Sequence, residues 1–237
     1  MTSDIYKNAI NSCIATGIAE IATLPICTLK TNYQNGCLHN TKIIPMAKEL
    51  YATGGIKAFY RASFPAMSAQ MFSTSTKYTL YTYLQQKNDN KFVNGIASGI
   101  TSSIFTHPLD VIRVHKQMNK SLSATLYQDV SFMKYKTFYK GYSKTFSKIA
   151  LSSALFFPIN DIIKENTNYN SFVTGFVSAS ISTIIMHPID YLKTRHVAGL
   201  KLYESNVLIY YKGLSLNLLR IVPHFSIVMG VIELLKR

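Results

Sequence analysis

The chain has 237 residues and a formal net charge of +14, with 48% of its residues apolar. That length allows one large domain or a short array of repeats, and the charge implies an anionic partner: nucleic acid, acidic lipid or an anionic solute. Cys13, Cys27 and Cys37 form no CxxC pair and the six histidines show no HxxxH spacing, so neither a disulfide framework nor a zinc site is read.

The first residues, MTSDIYKNAINS, lack the basic start and apolar core of a secretory signal, and no arginine-rich transit segment occurs. Any organellar address is therefore expected to be internal. In chain order, the first apolar stretch runs into LPICTLKTNYQ at Leu24. HPLDVIRVHKQ follows at His107 and HPIDYLKTRHV at His187. Their prolines, Pro25, Pro108 and Pro188, stand 83 and 80 residues apart. After each comes an aromatic-aromatic-basic-small motif: Phe59 to Ala62, Phe138 to Gly141 and Tyr210 to Gly213. Two motifs recurring three times in the same order predict a triplicated unit, with repeats over 1–90, 91–167 and 168–237.

Each repeat reads as two helices. Before the proline, small residues stand four apart: Ser12 and Thr16, Gly95 and Gly99, Gly175 and Ala179. Such pairs let helix backbones approach closely, as membrane helices require. After the aromatic-basic motif a second long stretch follows, over 62–85, 142–164 and 214–236. Few of the six stretches are uniformly apolar over ~20 residues. That argues against a simple anchor and for helices with one face to lipid and the other lining water. The loops after the proline motifs are rich in Lys and Arg, so that side is expected to face the compartment with the positive-inside bias.

PxDxxR at Pro108–Arg113 and PxDxxK at Pro188–Lys193 resemble the signature of the mitochondrial carrier family, and the resemblance runs from about Asn11 to Lys236. ELYATGGIKAFYR, from Glu49 to Arg61, is similar to the short surface helix and glycine-containing turn of family members. The resemblance implies an all-α membrane protein of six transmembrane helices, arranged as three pseudo-symmetric two-helix repeats around a central cavity. It also implies one mid-membrane substrate site, alternating access between two gates, and a multi-pass place in the mitochondrial inner membrane. An AT-rich composition, heavy in Asn, Ile, Lys and Tyr with no Trp, hints at a parasite or virus using host mitochondria.

Proline removes a helix hydrogen bond, so Pro25, Pro108 and Pro188 are expected helix kinks that swing the helix ends inward. An acid and a base three apart share one helix face. By resemblance, Asp110 would pair with Lys193 and Asp190 with Lys30 in a matrix gate. Arg113 is left without its acid, because Cys27 stands in that place. Asp161, Lys164, Glu233 and Lys236 would form the cytoplasmic gate, weakened where Thr82 and Gln85 carry no charge. Counting from the aromatic of each even helix, the family's substrate contacts fall on Ala69, Lys148, Ile149 and Arg220. Lys77 and Lys144 are further candidate cavity cations.

Converging cations suit phosphates or carboxylates, and arginine can grip either in bidentate fashion. The expected substrate is a small anionic solute, a nucleotide or deoxynucleotide ahead of a keto acid or dicarboxylate. The aromatic-basic-Gly turns would hold an acidic lipid such as cardiolipin, and the unit is expected to work as a monomer without cofactor or metal. A basic helical-repeat protein binding nucleic acid is the rival from another class. Against it, the repeat is about twice the length of common solenoid units and its prolines fall inside apolar runs. No GxSxG, Walker loop or GxGxxG points to an enzyme. His107 and His187, in equivalent places before proline, read as structural.

Overall fold

The computed structural model describes residues 2–36, 42–87, 90–119, 138–151, 162–163, 171–203 and 206–236. Among these, every regular element is helical. The helices are α1 (Thr2–Asn35), α2 (Ile43–Tyr60), α3 (Ser63–Gln85), α4 (Lys91–Gln117), α5 (142–151), α6 (Ser171–Val197) and α7 (Leu214–Lys236), with a 3-10 turn at Val207–Tyr211 before α7. Pro25, Pro108 and Pro188 sit inside α1, α4 and α6, and each helix continues past its proline.

Local chemistry sets the boundaries. Asn90 caps α4, its Oδ1 accepting from the backbone N–H of Phe92 and of Val93 at 3.2 Å each. Gly36, at φ 59°, follows the last turn of α1. α2 breaks at Gly54 and Gly55, where Gly55 takes φ 59° and ψ −152°. This is the glycine turn expected within the surface helix.

The long helices are polar where they meet and apolar outside. On α6, Ser178 and Ser182 are buried while Ile181, Ile184 and Ile185 are exposed. On α4, Ser102, Ser103 and Thr106 are buried while Ile104 and Phe105 face outward. A water-soluble core has the opposite arrangement. It is the order expected where lipid covers the outside and a wet cavity the inside. By length and apolar composition, Ile10–Asn35 of α1 is the one described helix that could cross a membrane unaided. The others owe their modest hydropathy to these inward polar faces.

α1 packs along α3 and α7, α3 along α4, and α6 along α7. Small residues allow the close approaches. A Cβ on Gly17 would come within 3.2 Å of Met71, and one on Gly99 within 2.9 Å of Ile149 Cγ2. Thr16 Oγ1 bonds Thr74 Oγ1 at 3.3 Å, joining α1 to α3.

His107 and His187 are both fully buried. His107 Nε2 lies 3.1 Å from the Lys140 carbonyl oxygen, and His187 Nε2 lies 3.1 Å from that of Lys212. Each ring also stacks on a tyrosine of the same motif, His107 on Tyr139 and His187 on Tyr211. Gly141 (φ 79°) and Gly213 (φ 86°) then turn the chain through the left-handed region that favours glycine. The first copy differs. Leu24 stands in the histidine's place, and Thr28 Oγ1 instead donates to the Phe59 carbonyl at 2.7 Å. Ala62 there takes φ −100°, so no glycine is needed.

Candidate functional site

The six long helices, α1 and α3 to α7, enclose a cavity of about 530 Å³. All four expected substrate contacts, Ala69, Lys148, Ile149 and Arg220, line it, as does Lys77. Lys144 does not. Four residues before Lys148 on α5, it stands towards His196 at the end of α6, which contributes to that imidazole's electrostatic surroundings. Of the two further candidate cations, the cavity therefore takes Lys77 and not Lys144.

Six cations line the wall among the described residues: Lys30, Lys77, Arg113, Lys148, Lys193 and Arg220. Two carboxylates, Asp110 and Asp190, accompany them. Burying a charge costs several kcal/mol unless a partner offsets it, so the pairing decides the geometry. Lys193 Nζ donates to Asp110 Oδ2 at 3.0 Å, linking α6 to α4. Lys30 donates to Asp190 Oδ2, linking α1 to α6, and its Nζ also reaches Asn217 Oδ1 of α7 at 3.0 Å. These are the two pairs expected from the signature.

The third link corrects an expectation. Arg113 is not without an acid: its Nη2 donates to Glu20 Oε1, joining α4 to α1. Cys27 occupies the signature place, and Glu20 stands seven residues earlier on the same helix. Seven residues are close to two full turns, so both side chains lie on nearly the same face. Glu20 is completely buried. Its sequence signal is a lone acid within Ile10–Asn35, the described stretch apolar enough to cross a membrane. An ionisable residue there is by default functional, but the proline-based register does not point to it. With Glu20, the three helices that carry the repeated proline motif, α1, α4 and α6, close into a ring of three ion pairs.

The two substrate-site cations are also compensated, by the protein itself. Lys148 donates to Asp190 Oδ1, so Asp190 is shared between Lys30 and Lys148. Arg220 Nη2 donates to Glu20 Oε2 at 2.6 Å, and its Nε faces Thr23 Oγ1 at 3.4 Å. Glu20 is thus shared between Arg113 and Arg220.

Beyond the ring, Thr31 Oγ1 donates to Gln117 Oε1 at 2.7 Å and Asn32 Nδ2 to the Gln117 carbonyl at 2.9 Å, fastening α1 to α4 once more. Of the expected cytoplasmic gate, Asp161 and Lys164 lie outside the described residues. Glu233 and Lys236 belong to α7, but their side chains are not among those described.

Residues 2–91 and 85–171 match the family model "Mitochondrial carrier protein" in two successive copies. A mitochondrial carrier-like protein of Acanthamoeba polyphaga mimivirus is 47% identical over 98% of this chain and 97% of its own length. Mitochondrial thiamine pyrophosphate carrier 1 of Candida albicans is 22% identical over 93% of this chain and 87% of that protein. Mitochondrial substrate carrier family protein A of Dictyostelium discoideum is 26% identical over 88% and 72%. The family match over most of the chain and the near end-to-end likeness to a viral carrier-like protein carry one conclusion: the chain belongs to the mitochondrial carrier family.

Proposed function

We propose that the chain carries a small anionic solute, a nucleotide or deoxynucleotide before a keto acid or dicarboxylate, across the mitochondrial inner membrane. Transport is by alternating access, as exchange. The observation that carries this reading is the cavity, whose wall among the described residues sets six cations against Asp110, Asp190 and the buried Glu20 behind it, an excess of three positive charges. That excess suits a polyanion. Lysine ammonium groups act on phosphate as point charges, and a guanidinium adds a bidentate grip. A dicarboxylate needs only two of these cations.

Three two-helix repeats, 1–90, 91–167 and 168–237, make one multi-pass domain that works as a monomer. Substrate settles against Ala69, Lys148, Ile149 and Arg220. Lys30, Asp110, Arg113, Asp190 and Lys193 close the matrix side, with Glu20 added to them. Asp161, Lys164, Glu233 and Lys236 close the cytoplasmic side. The ligand opens a gate only through its differential affinity for the two states. The turns at Gly141 and Gly213 hold an acidic lipid such as cardiolipin. The viral relative suits action in host mitochondria.

Liposomes holding the purified chain test the substrate class directly. The screen covers ribo- and deoxyribonucleotides, keto acids, dicarboxylates and thiamine pyrophosphate, whose diphosphate a nucleoside diphosphate shares. Saturable nucleotide exchange is expected. Uptake confined to keto acids or dicarboxylates would move the assignment to that class.

A further inference from the structure

Two carboxylates are divided in the same way. Asp190 gives one oxygen to Lys30 of the ring and the other to Lys148 of the substrate site. Glu20 gives Oε1 to Arg113 of the ring and Oε2 to Arg220 of the substrate site. In each case one ring cation and one site cation meet on a single acid. The signature accounts for Asp190. It does not account for Glu20, which lies outside the motif.

The orientation of Arg220 is the informative detail. Its Nε and Nη2 both face α1, towards Thr23 Oγ1 at 3.4 Å and Glu20 Oε2 at 2.6 Å. That edge of a guanidinium is one that grips a carboxylate or phosphate with two parallel bonds. In this state the chain's own acid occupies it. An anion entering the cavity must displace Glu20 to hold Arg220 by the same edge.

We infer that Glu20 is a displaceable internal counter-ion: it replaces the missing signature acid at Cys27 in the ring, and it competes with the transported anion for Arg220. When a phosphate or carboxylate takes Arg220, the Arg220–Glu20 tie between α7 and α1 is released, while Arg113 stays on Glu20 and Lys30 still reaches Asn217 of α7. Occupancy of the cavity is thereby transmitted to the ring through one side chain. This rests on the substrate-site reading of Arg220, but not on which solute is carried.

The test is calorimetric titration of the detergent-purified full chain with inorganic pyrophosphate. Glu20→Gln removes the competing charge and keeps the shape, so binding should tighten about tenfold, the size of one charge-assisted hydrogen bond. The double variant Glu20→Gln with Cys27→Asp returns an acid to Arg113 and carries the test where the single variant does not fold. It should keep the tighter binding, and adding Arg220→Ala should abolish the gain. Binding that is unchanged, weaker or undetectable in the folded Glu20→Gln or double variant overturns the inference, because a merely structural acid predicts those outcomes. Failed nucleotide exchange in liposomes with tightened pyrophosphate binding would reject the nucleotide reading and leave the role of Glu20 standing. Normal exchange with unchanged pyrophosphate binding would do the reverse.

Discussion

Lys193 of α6 donates to Asp110 of α4 across 3.0 Å, two residues beyond Pro108 on α4. The pair belongs to a closed circuit, α1 to α6 to α4 and back to α1, built from Lys30–Asp190, Lys193–Asp110 and Arg113–Glu20. Removing one partner of this half-buried pair leaves an uncompensated charge, at a cost below the about 3–5 kcal/mol of a fully buried one. Asp110→Asn and Lys193→Gln should each lower the thermal unfolding midpoint in detergent. The exchanged double variant, Asp110→Lys with Lys193→Asp, should recover part of the loss. Strictly additive losses in a double-mutant cycle would show that the two groups do not interact.

Arg220 faces the cavity from α7, and Lys148 from α5. Arg220→Ala should abolish uptake of every anion in the liposome screen, and Arg220→Lys should restore little, because an ammonium lacks the planar fork. Retained uptake in Arg220→Ala would refute the site assignment. Lys148→Ala should weaken transport less, since Lys30 remains on Asp190.

On the opposite side of the membrane the gate reading rests on charge lost at Thr82 and Gln85. Thr82→Glu combined with Gln85→Lys returns an acid and a base to one face of α3. A strengthened closed state should change the exchange rate measured in liposomes. An unchanged rate would remove these positions from any gating role.

The glycines after the aromatic-basic pairs allow a prediction about stability alone. Gly141 and Gly213 sit at φ 79° and 86°. A Cβ there would also come within 3.2 Å of Val197 Cγ2 and of Gln34 Cγ respectively. Gly141→Ala and Gly213→Ala should each cost about 1–2 kcal/mol from the left-handed backbone alone. Ala62→Gly, at φ −100°, should gain nothing. Thermal unfolding of the three variants decides, and full tolerance at Gly141 would mean that the turn can re-form without the left-handed residue.

Much of this arrangement is legible in the sequence because the motifs repeat in register. The resemblance of the proline motifs to the family signature implies the pairs Lys193–Asp110 and Lys30–Asp190, and the structure makes both. The family's substrate contacts, counted along the second helix of each repeat, likewise fall together, with Ala69, Lys148, Ile149 and Arg220 on one cavity. Glu20 escaped because a motif fixes a position, whereas a helix fixes a face. An acid two turns away can serve the same partner if its side chain and that of the arginine are long enough. Lys144 and Lys77 differ for a related reason: the phase of a helix about its own axis is set by its neighbours, and the local sequence around a single lysine says little about it.

The contacts of His107 and His187 bear on the segments between the helices. Each imidazole, inside its long helix just before the proline, fastens that helix to the backbone that begins the next, beside a glycine that sets the turn. Geometry at that corner is therefore fixed by side chain and carbonyl, independent of how many residues run between them. A longer connection adds only a small closure entropy. Insertions of several residues within 200–205 should leave the helix corner intact, whereas one altered imidazole would unfasten it.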